Sequence, residues 1–316
     1  MRRISLTAGL VLACVAAVAA PASAQDDIGN DYMCFDSNEE FTPEQQVAGC
    51  NTMIRGGNLP DEDLAAVFAM RGWSYQELGD FPAALDDYSE KIRLQPDAAD
   101  GYGWRGSVYL QQSDYEKALA DYSRAIELGP DAPDVALWYH DRGAARYNLG
   151  DHPAALADYD QTLALITDDP MFYTDRGYVH FELEDFPRAI ADYTQAINLA
   201  PDDAANWNDR CWARAVWGRQ LVEALDDCNE AVALDSASFS ALDSRGLVHL
   251  RREEWDLALA DYEASLDVET SASAYYGRGI ALSRLGRERD GEANYVMATR
   301  LDPAIAETYA GFGMVP

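Results

Sequence analysis

Residues 99–132 read ADGYGWRGSVYLQQSDYEKALADYSRAIELGPDA. The first half of this stretch places four residues at helical spacings of three and four: Tyr102, Arg105, Gly106 and Tyr109. Ser113-Asp114 then offers an N-cap for a second helix. One face of that helix carries Ala118, Tyr122, Ala125 and Leu128. The helix ends at Gly129-Pro130. The stretch therefore predicts two α-helices joined by a turn.

The same pattern recurs along the chain at intervals of about 34 residues. A small residue marks each first helix: Gly72, Gly106, Gly143, Gly177, Cys211, Gly246 and Gly279. An aromatic residue or Cys marks each second helix: Tyr88, Tyr122, Tyr159, Tyr193, Cys228, Tyr262 and Tyr295. Neither helix of a pair can bury its apolar face alone, so we expect neighbouring pairs to stack and complete the core.

These copies resemble the tetratricopeptide (TPR) repeat, which has an aromatic before the Gly, a Tyr after it, and then Ala, an aromatic, Ala and a closing Pro. Residues 99–132 match it throughout, and six other copies match with substitutions: 65–98, 136–169, 170–203, 204–238, 239–271 and 272–305. The resemblance implies an all-α, right-handed superhelical solenoid of helix-turn-helix repeats over 65–305. It also implies an inner groove that binds peptides or protein segments. In the seventh copy, Gly291 replaces the expected Ala, and we expect a looser interface there.

The first 24 residues have the features of a secretory signal peptide. Arg2 and Arg3 precede an apolar stretch that ends before an Ala22-Ser23-Ala24 cleavage site. We therefore expect an exported, periplasmic protein; a lipid anchor at Cys14 or secretion are the alternatives. Residues 25–64 are predicted to form a degenerate repeat, and residues 306–316 a tail too short for a full capping helix, which either frays or docks.

The net charge of −31 argues against nucleic acid as a partner, because an acidic surface repels phosphate backbones. A basic partner is compatible with it, although solubility alone is the simpler explanation of an acidic surface. An Arg precedes every small-residue position, and an Asp precedes every aromatic position except the last, where Asn294 stands. This constant offset predicts an Arg–Asp ladder, either between the two helices of a repeat or between neighbouring repeats.

Four cysteines follow the predicted signal peptide, and four cysteines allow three disulfide pairings. Cys211 and Cys228 occupy the small and aromatic positions of one repeat, which face each other. Cys34 and Cys50 have the same separation as Gly72 and Tyr88, and Thr42-Pro43 begins a second helix in the corresponding place. The repeat therefore favours the pairs Cys34–Cys50 and Cys211–Cys228, with an oxidising compartment.

Nothing in the sequence points to catalysis. The chain has four histidines, without the spacing of metal ligands, and no nucleophile elbow or phosphate-binding loop. His180 and His249 lie where other repeats have Tyr75 and Tyr109, so we interpret them as packing residues. We expect no enzyme activity, cofactor or metal.

The resemblance implies a binding surface on the first helices, at positions three before, one after and four after the small residue. The candidates are Trp73, His140, Tyr147, Tyr178, Phe181, Asn208, Trp212 and Tyr276. Aromatic anchors beside polar groups suit an extended or helical protein segment. The positions that grip a terminal carboxylate in one TPR subtype carry no basic cluster here, so an aromatic or basic segment is favoured. A cell-envelope glycan or peptidoglycan ligand is the alternative, because rings also stack on sugars.

Overall fold

The computed structural model describes residues 33–35 and 40–315; the predicted signal peptide lies outside them. The described residues form 16 α-helices and no strand. Their bounds are α1 Pro43–Gly56, α2 Asp61–Glu77, α3 Phe81–Leu94, α4 Ala99–Gln111, α5 Tyr115–Leu128, α6 Val135–Asn148, α7 His152–Leu165, α8 Pro170–Glu182, α9 Phe186–Leu199, α10 Ala204–Trp217, α11 Leu221–Leu234, α12 Phe239–Arg251, α13 Trp255–Val268, α14 Ala272–Arg284, α15 Glu288–Leu301 and α16 Ile305–Gly311. The chain divides into two compact units, residues up to 97 and residues from 98 onward.

The helices form seven consecutive antiparallel pairs, from α2/α3 to α14/α15, and each pair corresponds to one predicted repeat. The first unit contains α1 and the pair α2/α3, and the second contains the other six pairs followed by α16. The all-α array of helix-turn-helix repeats predicted from the sequence is therefore confirmed.

In most repeats the turn between the two helices contains a residue with positive φ, followed by an Asp that caps the second helix. Asp114 accepts a hydrogen bond from the backbone N–H of Lys117, as predicted, and Asp80, Asp151 and Asp185 cap α3, α7 and α9 in the same way. The residue before each of these caps has positive φ, including Ser113 at 60°. The short turn holds the two helices of a repeat side by side.

In six repeats the glycine of the first helix lies directly against the tyrosine ring of the second. A Cβ atom added at Gly72 would lie 2.8 Å from the Tyr88 ring, and the equivalent distance from Gly143 to Tyr159 is 2.9 Å. Separations below about 3 Å are not tolerated by close-packed atoms, so these positions exclude any larger residue. The expected looser interface at Gly291 is wrong: a Cβ there would lie 2.9 Å from the carbonyl oxygen of Gly279, so the two helices approach each other closely.

The predicted Arg–Asp ladder is present, and it joins both the helices within a repeat and neighbouring repeats. In six repeats the Arg Nε and Nη2 atoms donate to both oxygens of the Asp at 2.6 to 3.0 Å. In the last repeat Arg278 donates to Asn294. The remaining Nη1 reaches the preceding second helix in several repeats, for example from Arg71 to Asn51 and from Arg245 to Asn229.

Removing a ladder carboxylate should destabilise the array strongly. Asp158 binds both Arg142 and Arg146, and its side chain is 3% exposed. Asp158→Ala leaves both guanidinium groups without their anion, so we expect the free energy of unfolding to fall by about 3 kcal/mol in chemical denaturation. The matched control is Glu127→Ala, which breaks an exposed i,i+3 pair with Arg124 and should leave the stability almost unchanged. Equal effects of the two substitutions would contradict a structural role for the ladder.

Both predicted disulfides are present. Cys211–Cys228 joins α10 to α11 at the position where other repeats have the Gly–Tyr contact, with the Cα atoms 5.4 Å apart. Cys34–Cys50 joins the short described segment 33–35 to α1, with the Cα atoms 4.8 Å apart. Both sulfurs of this second pair are buried, and Val67 of α2 packs against them. α1 begins at Pro43 with a Thr42 capping box, as the sequence predicts.

Thiol titration tests the two pairs. The chain from residue 25 onward, denatured without reduction, should show no reactive thiol, and reduction should release all four. Replacing Cys211 and Cys228 with Ala should lower the free energy of unfolding by roughly 3 kcal/mol, since the disulfide closes a loop of 17 residues. The matched variant Cys211→Gly/Cys228→Tyr restores the Gly–Tyr contact of the other repeats and should recover part of that loss. Thiols that react before reduction would disprove the pairing.

Candidate partner-binding surface

The first helices of the second unit are α4, α6, α8, α10, α12 and α14, and their outer side is here called the first-helix surface. In three of these helices, the side chain three positions before the small residue is bonded to the next first helix. His140 of α6 contacts Asp175 of α8 at 2.8 Å, and Asp243 of α12 accepts a hydrogen bond from Ser273 of α14 at 2.7 Å. This position therefore serves contacts between repeats.

His140 is buried and does not face a partner, which corrects its assignment as a binding residue. Its Nδ1 and Nε2 atoms lie 3.1 Å from Asp141 and 2.8 Å from Asp175, and the ring packs on Phe172. Burial lowers the pKa of His140, but hydrogen bonds and charge attraction from the two carboxylates outweigh it and raise the pKa to about 9. The imidazolium therefore bridges two repeats at neutral pH.

Tyr276 and Asn208, predicted from the same position, are both at least half-buried. Tyr276 is 5% exposed and packs against Tyr295 and Tyr309, so its assignment as a binding residue is also corrected. Asn208 is half-buried, and its Oδ1 atom has no hydrogen-bond partner in the described part of the chain. Burial raises the pKa of Asp243 to about 7, because Ser273 supplies only one compensating hydrogen bond.

The positions one and four after the small residue supply a group of accessible rings. Tyr147 and Tyr178 meet edge to face with their centroids 5.7 Å apart, and Tyr178 is 47% exposed. Phe181 lies one helical turn from Tyr178 on α8 and packs on Phe186. Phe186 in turn stacks on Trp217 at 6.3 Å. We call these five residues, Tyr147, Tyr178, Phe181, Phe186 and Trp217, the aromatic edge.

Sequence reasoning identified three residues of the aromatic edge and missed the other two. Phe186 is the first residue of α9 and Trp217 the last residue of α10, outside the positions that the repeat assigns to the surface. The guanidinium of Arg219 lies over the Trp217 ring at 5.1 Å, which adds a cation–π contact beside the edge. Aromatic residues at the ends of neighbouring helices are the signal that could have identified them.

Two further candidates lie apart from the aromatic edge. Trp212 is half-buried, and the Phe312 ring lies against it edge to face, with the centroids 5.7 Å apart. Trp73 belongs to the first unit, where it is also half-buried. The structure therefore brings together Tyr147, Tyr178 and Phe181, and not the full set of eight.

The repeat architecture agrees with comparison to known families. A sequence profile described as "Tetratricopeptide repeat" matches residues 69–133, 140–204, 174–239 and 244–303, which is more than half of the chain. The chain belongs to the tetratricopeptide repeat family. A search of curated proteins found no match.

Solved TPR structures share this fold at low sequence identity. A TPR protein from Parabacteroides merdae superposes with a TM-score of 0.62 at 16% identity, covering 79% of this chain and 99% of that one. The C-terminal part of a TPR protein from Cytophaga hutchinsonii gives 0.63 at 15% identity, covering 80% and 99%. YrrB, described as a TPR protein with an unusual peptide-binding site, gives 0.53 at 17% identity, covering 61% and 96%. These likenesses show the fold alone.

Within residues 33–35 and 40–315, no helix of this TPR protein is long and apolar enough to span a membrane. Over the same residues, no group of three or more His, Cys, Asp or Glu side chains is arranged to hold a metal ion.

The His140 bridge predicts a specific pH dependence of stability. The pKa in the folded state, about 9, lies above the ordinary value of 6.5. The stabilisation is therefore complete below about pH 6.5 and is lost as the pH rises to about 9, with a total of roughly 3 kcal/mol. Thermal or denaturant unfolding of the wild type and of His140→Gln, which keeps polar contacts without a charge, measures this difference. Curves that stay parallel from pH 6 to 9.5 would contradict the bridge.

Proposed function

We propose that this TPR protein is an exported scaffold that binds a segment of a partner protein at the aromatic edge, without bond chemistry of its own. The observation that carries the proposal is the edge itself, in which Tyr178 is exposed and is flanked by the rings of Tyr147 and Phe181. Aromatic clusters of this kind dominate the energetics of protein interfaces, because large rigid rings bury much area at little entropic cost.

Family membership supports a role in protein interaction, since repeat arrays provide long surfaces for partners. The repeats explain most of the conspicuous charged residues structurally: the ladder arginines and aspartates pair with each other. The exposed ring of Tyr178 takes part in neither the ladder nor the Gly–Tyr contacts, and the rings of Tyr147, Phe181, Phe186 and Trp217 extend the patch from it. This leaves the edge as the surface available for specific recognition.

The charge of the chain favours a partner segment with aromatic or basic residues. The net charge is −31, and the ladder arginines are engaged with carboxylates. Such a surface attracts cationic segments and accelerates their association at low salt. We expect binding to weaken measurably as the salt concentration rises from about 50 to about 500 mM, a range over which the Debye length shortens severalfold.

Export is supported by the signal-like residues 1–24 and by two disulfides, because disulfides persist in oxidising compartments. Fractionation of cells that express the full chain tests it. A periplasmic product that begins near Gln25 and carries no free thiol agrees with the proposal. A cytoplasmic, reduced product contradicts it, and a product that begins at Cys14 would indicate a lipid anchor.

Substitution of the aromatic edge tests the binding site. Tyr178→Ala and Phe181→Ala should each weaken partner binding by about tenfold, as expected for anchor residues, without changing the melting temperature by more than a few degrees. Affinity capture from an envelope extract followed by mass spectrometry identifies the partner, and titration of the purified pair measures the change. Leu257→Ala, an exposed apolar substitution on a second helix, is the control and should bind normally.

Two outcomes would contradict the assignment. Undiminished capture by both edge variants would exclude the aromatic edge. Retention on purified peptidoglycan, with the same loss in the two variants and no protein captured, would instead indicate a glycan ligand on that surface.

A further inference from the structure

The residues after α16 leave the repeat pattern and lie on the first-helix surface. The repeat spacing places the next small residue at Gly313, and Tyr309 lies four residues before it, at a position that is aromatic in other repeats. The Tyr309 ring is fully buried, so it completes the last repeat. α16 ends at Gly311, and Gly313 adopts φ +73°, which turns the chain back. Phe312 then packs edge to face on Trp212 of α10, two repeats away, and Met314 packs in the same cluster. Residues 312–315 thus dock and do not merely cap the array.

Two arginines hold this segment by its backbone. The Nη2 atom of Arg251 donates to the carbonyl oxygens of Val216 and Phe312, and the Nη2 atom of Arg284 donates to the carbonyl of Val315 at 3.2 Å. Both arginines lie five residues after the small residue of their repeat. The equivalent residues of the other repeats in the second unit are not basic: Gln111, Asn148, Glu182 and Val216.

These two arginines differ from those of the ladder. Arg251 makes no ion pair within the described residues of the second unit, and its Nε atom has no hydrogen-bond partner there. Burial lowers its pKa without a compensating carboxylate. Its side chain therefore has a role other than pairing with an acidic residue, and the contact that the structure shows is with backbone carbonyls. Any extended segment offers such carbonyls, whatever its side chains.

We propose that residues 312–315 are an intramolecular ligand of the surface formed by α10, α12 and α14, which a partner segment with an aromatic anchor must displace. The proposal rests on the proposed function, because it takes the partner protein that binds the aromatic edge to reach this neighbouring part of the first-helix surface as well. The segment can leave the surface and return at low cost, because Gly311, Gly313 and Val315 are exposed and Phe312 and Met314 are only half-buried.

Tethering makes such a ligand effective even if its contacts are weak. A short tether gives an effective concentration in the millimolar range, so a segment with modest intrinsic affinity stays docked most of the time. The apparent dissociation constant of a competing partner is the intrinsic value divided by the open fraction. A segment that is docked about 90 to 99% of the time therefore weakens partner binding by about ten- to a hundredfold.

The docked state can be observed directly in the full chain. The ¹³C-methyl resonance of Met314 should show a packed environment in the wild type. In Phe312→Ala and Arg251→Gln it should shift toward the value of a free peptide, while circular dichroism remains unchanged. Tyr178→Ala should leave the resonance unaltered, so failure of the aromatic edge and failure of this proposal are distinguishable. A Met314 resonance that is free in the wild type, or unchanged by both variants, would overturn the proposal.

Competition is tested with a synthetic peptide of residues 309–315 as the probe. A chain that ends at Gly311 keeps Tyr309 but opens the surface, and it should bind the probe at least about tenfold more tightly than the full chain. Trp212→Ala in the shortened chain should abolish that gain. Phe312→Ala in the full chain is a second receptor, in case the shortened chain folds poorly. Equal binding of the probe by all receptors, or no binding by any of them, overturns the proposal. A docked fraction that rises with protein concentration also overturns it, because it would indicate that the segment docks on a second copy of the chain.

Discussion

The rest of the structure depends on the close contact between a small residue on each first helix and the aromatic ring of the following helix. Because Gly143 has no side chain, the Tyr159 ring reaches the backbone of the first helix. The bidentate pair of Arg142 and Asp158, one residue before each of these, fixes the same two helices in register. Packing and charge pairing thus act at one point in each repeat, and Cys211–Cys228 replaces that contact covalently.

The contacts between successive first helices differ from the ladder, since several of them use the position three before the small residue. At His140 that position holds an imidazolium between two carboxylates. At Asp243 it holds a buried carboxyl group that accepts one hydrogen bond, from Ser273. Each is a buried polar group with a hydrogen-bond partner on the next first helix. The repeat pattern hides this role, because the residue type changes at every repeat. For that reason His140 and Tyr276 look like binding residues in the sequence.

The accessible surface is what remains after these two sets of contacts. Tyr178 projects from the first helices, and rings at the helix ends extend the patch from there. Farther along the same surface, the segment after α16 covers Trp212 and holds two arginines by its carbonyl groups. One surface therefore has an open part and an occupied part, and both are lined by aromatic rings.

The sequence by itself determined the helix pairs, the Gly–Tyr contact, the Arg–Asp ladder and both disulfides. All of these depend on a spacing that recurs every 34 residues or so, and the same spacing always produces the same contact. Only the tertiary structure decided which aromatic residues are accessible. Exposure of Tyr178 and burial of Tyr276 depend on what the neighbouring helix or the segment 305–315 places over each ring. Those neighbours are distant in the sequence, and no local pattern records them.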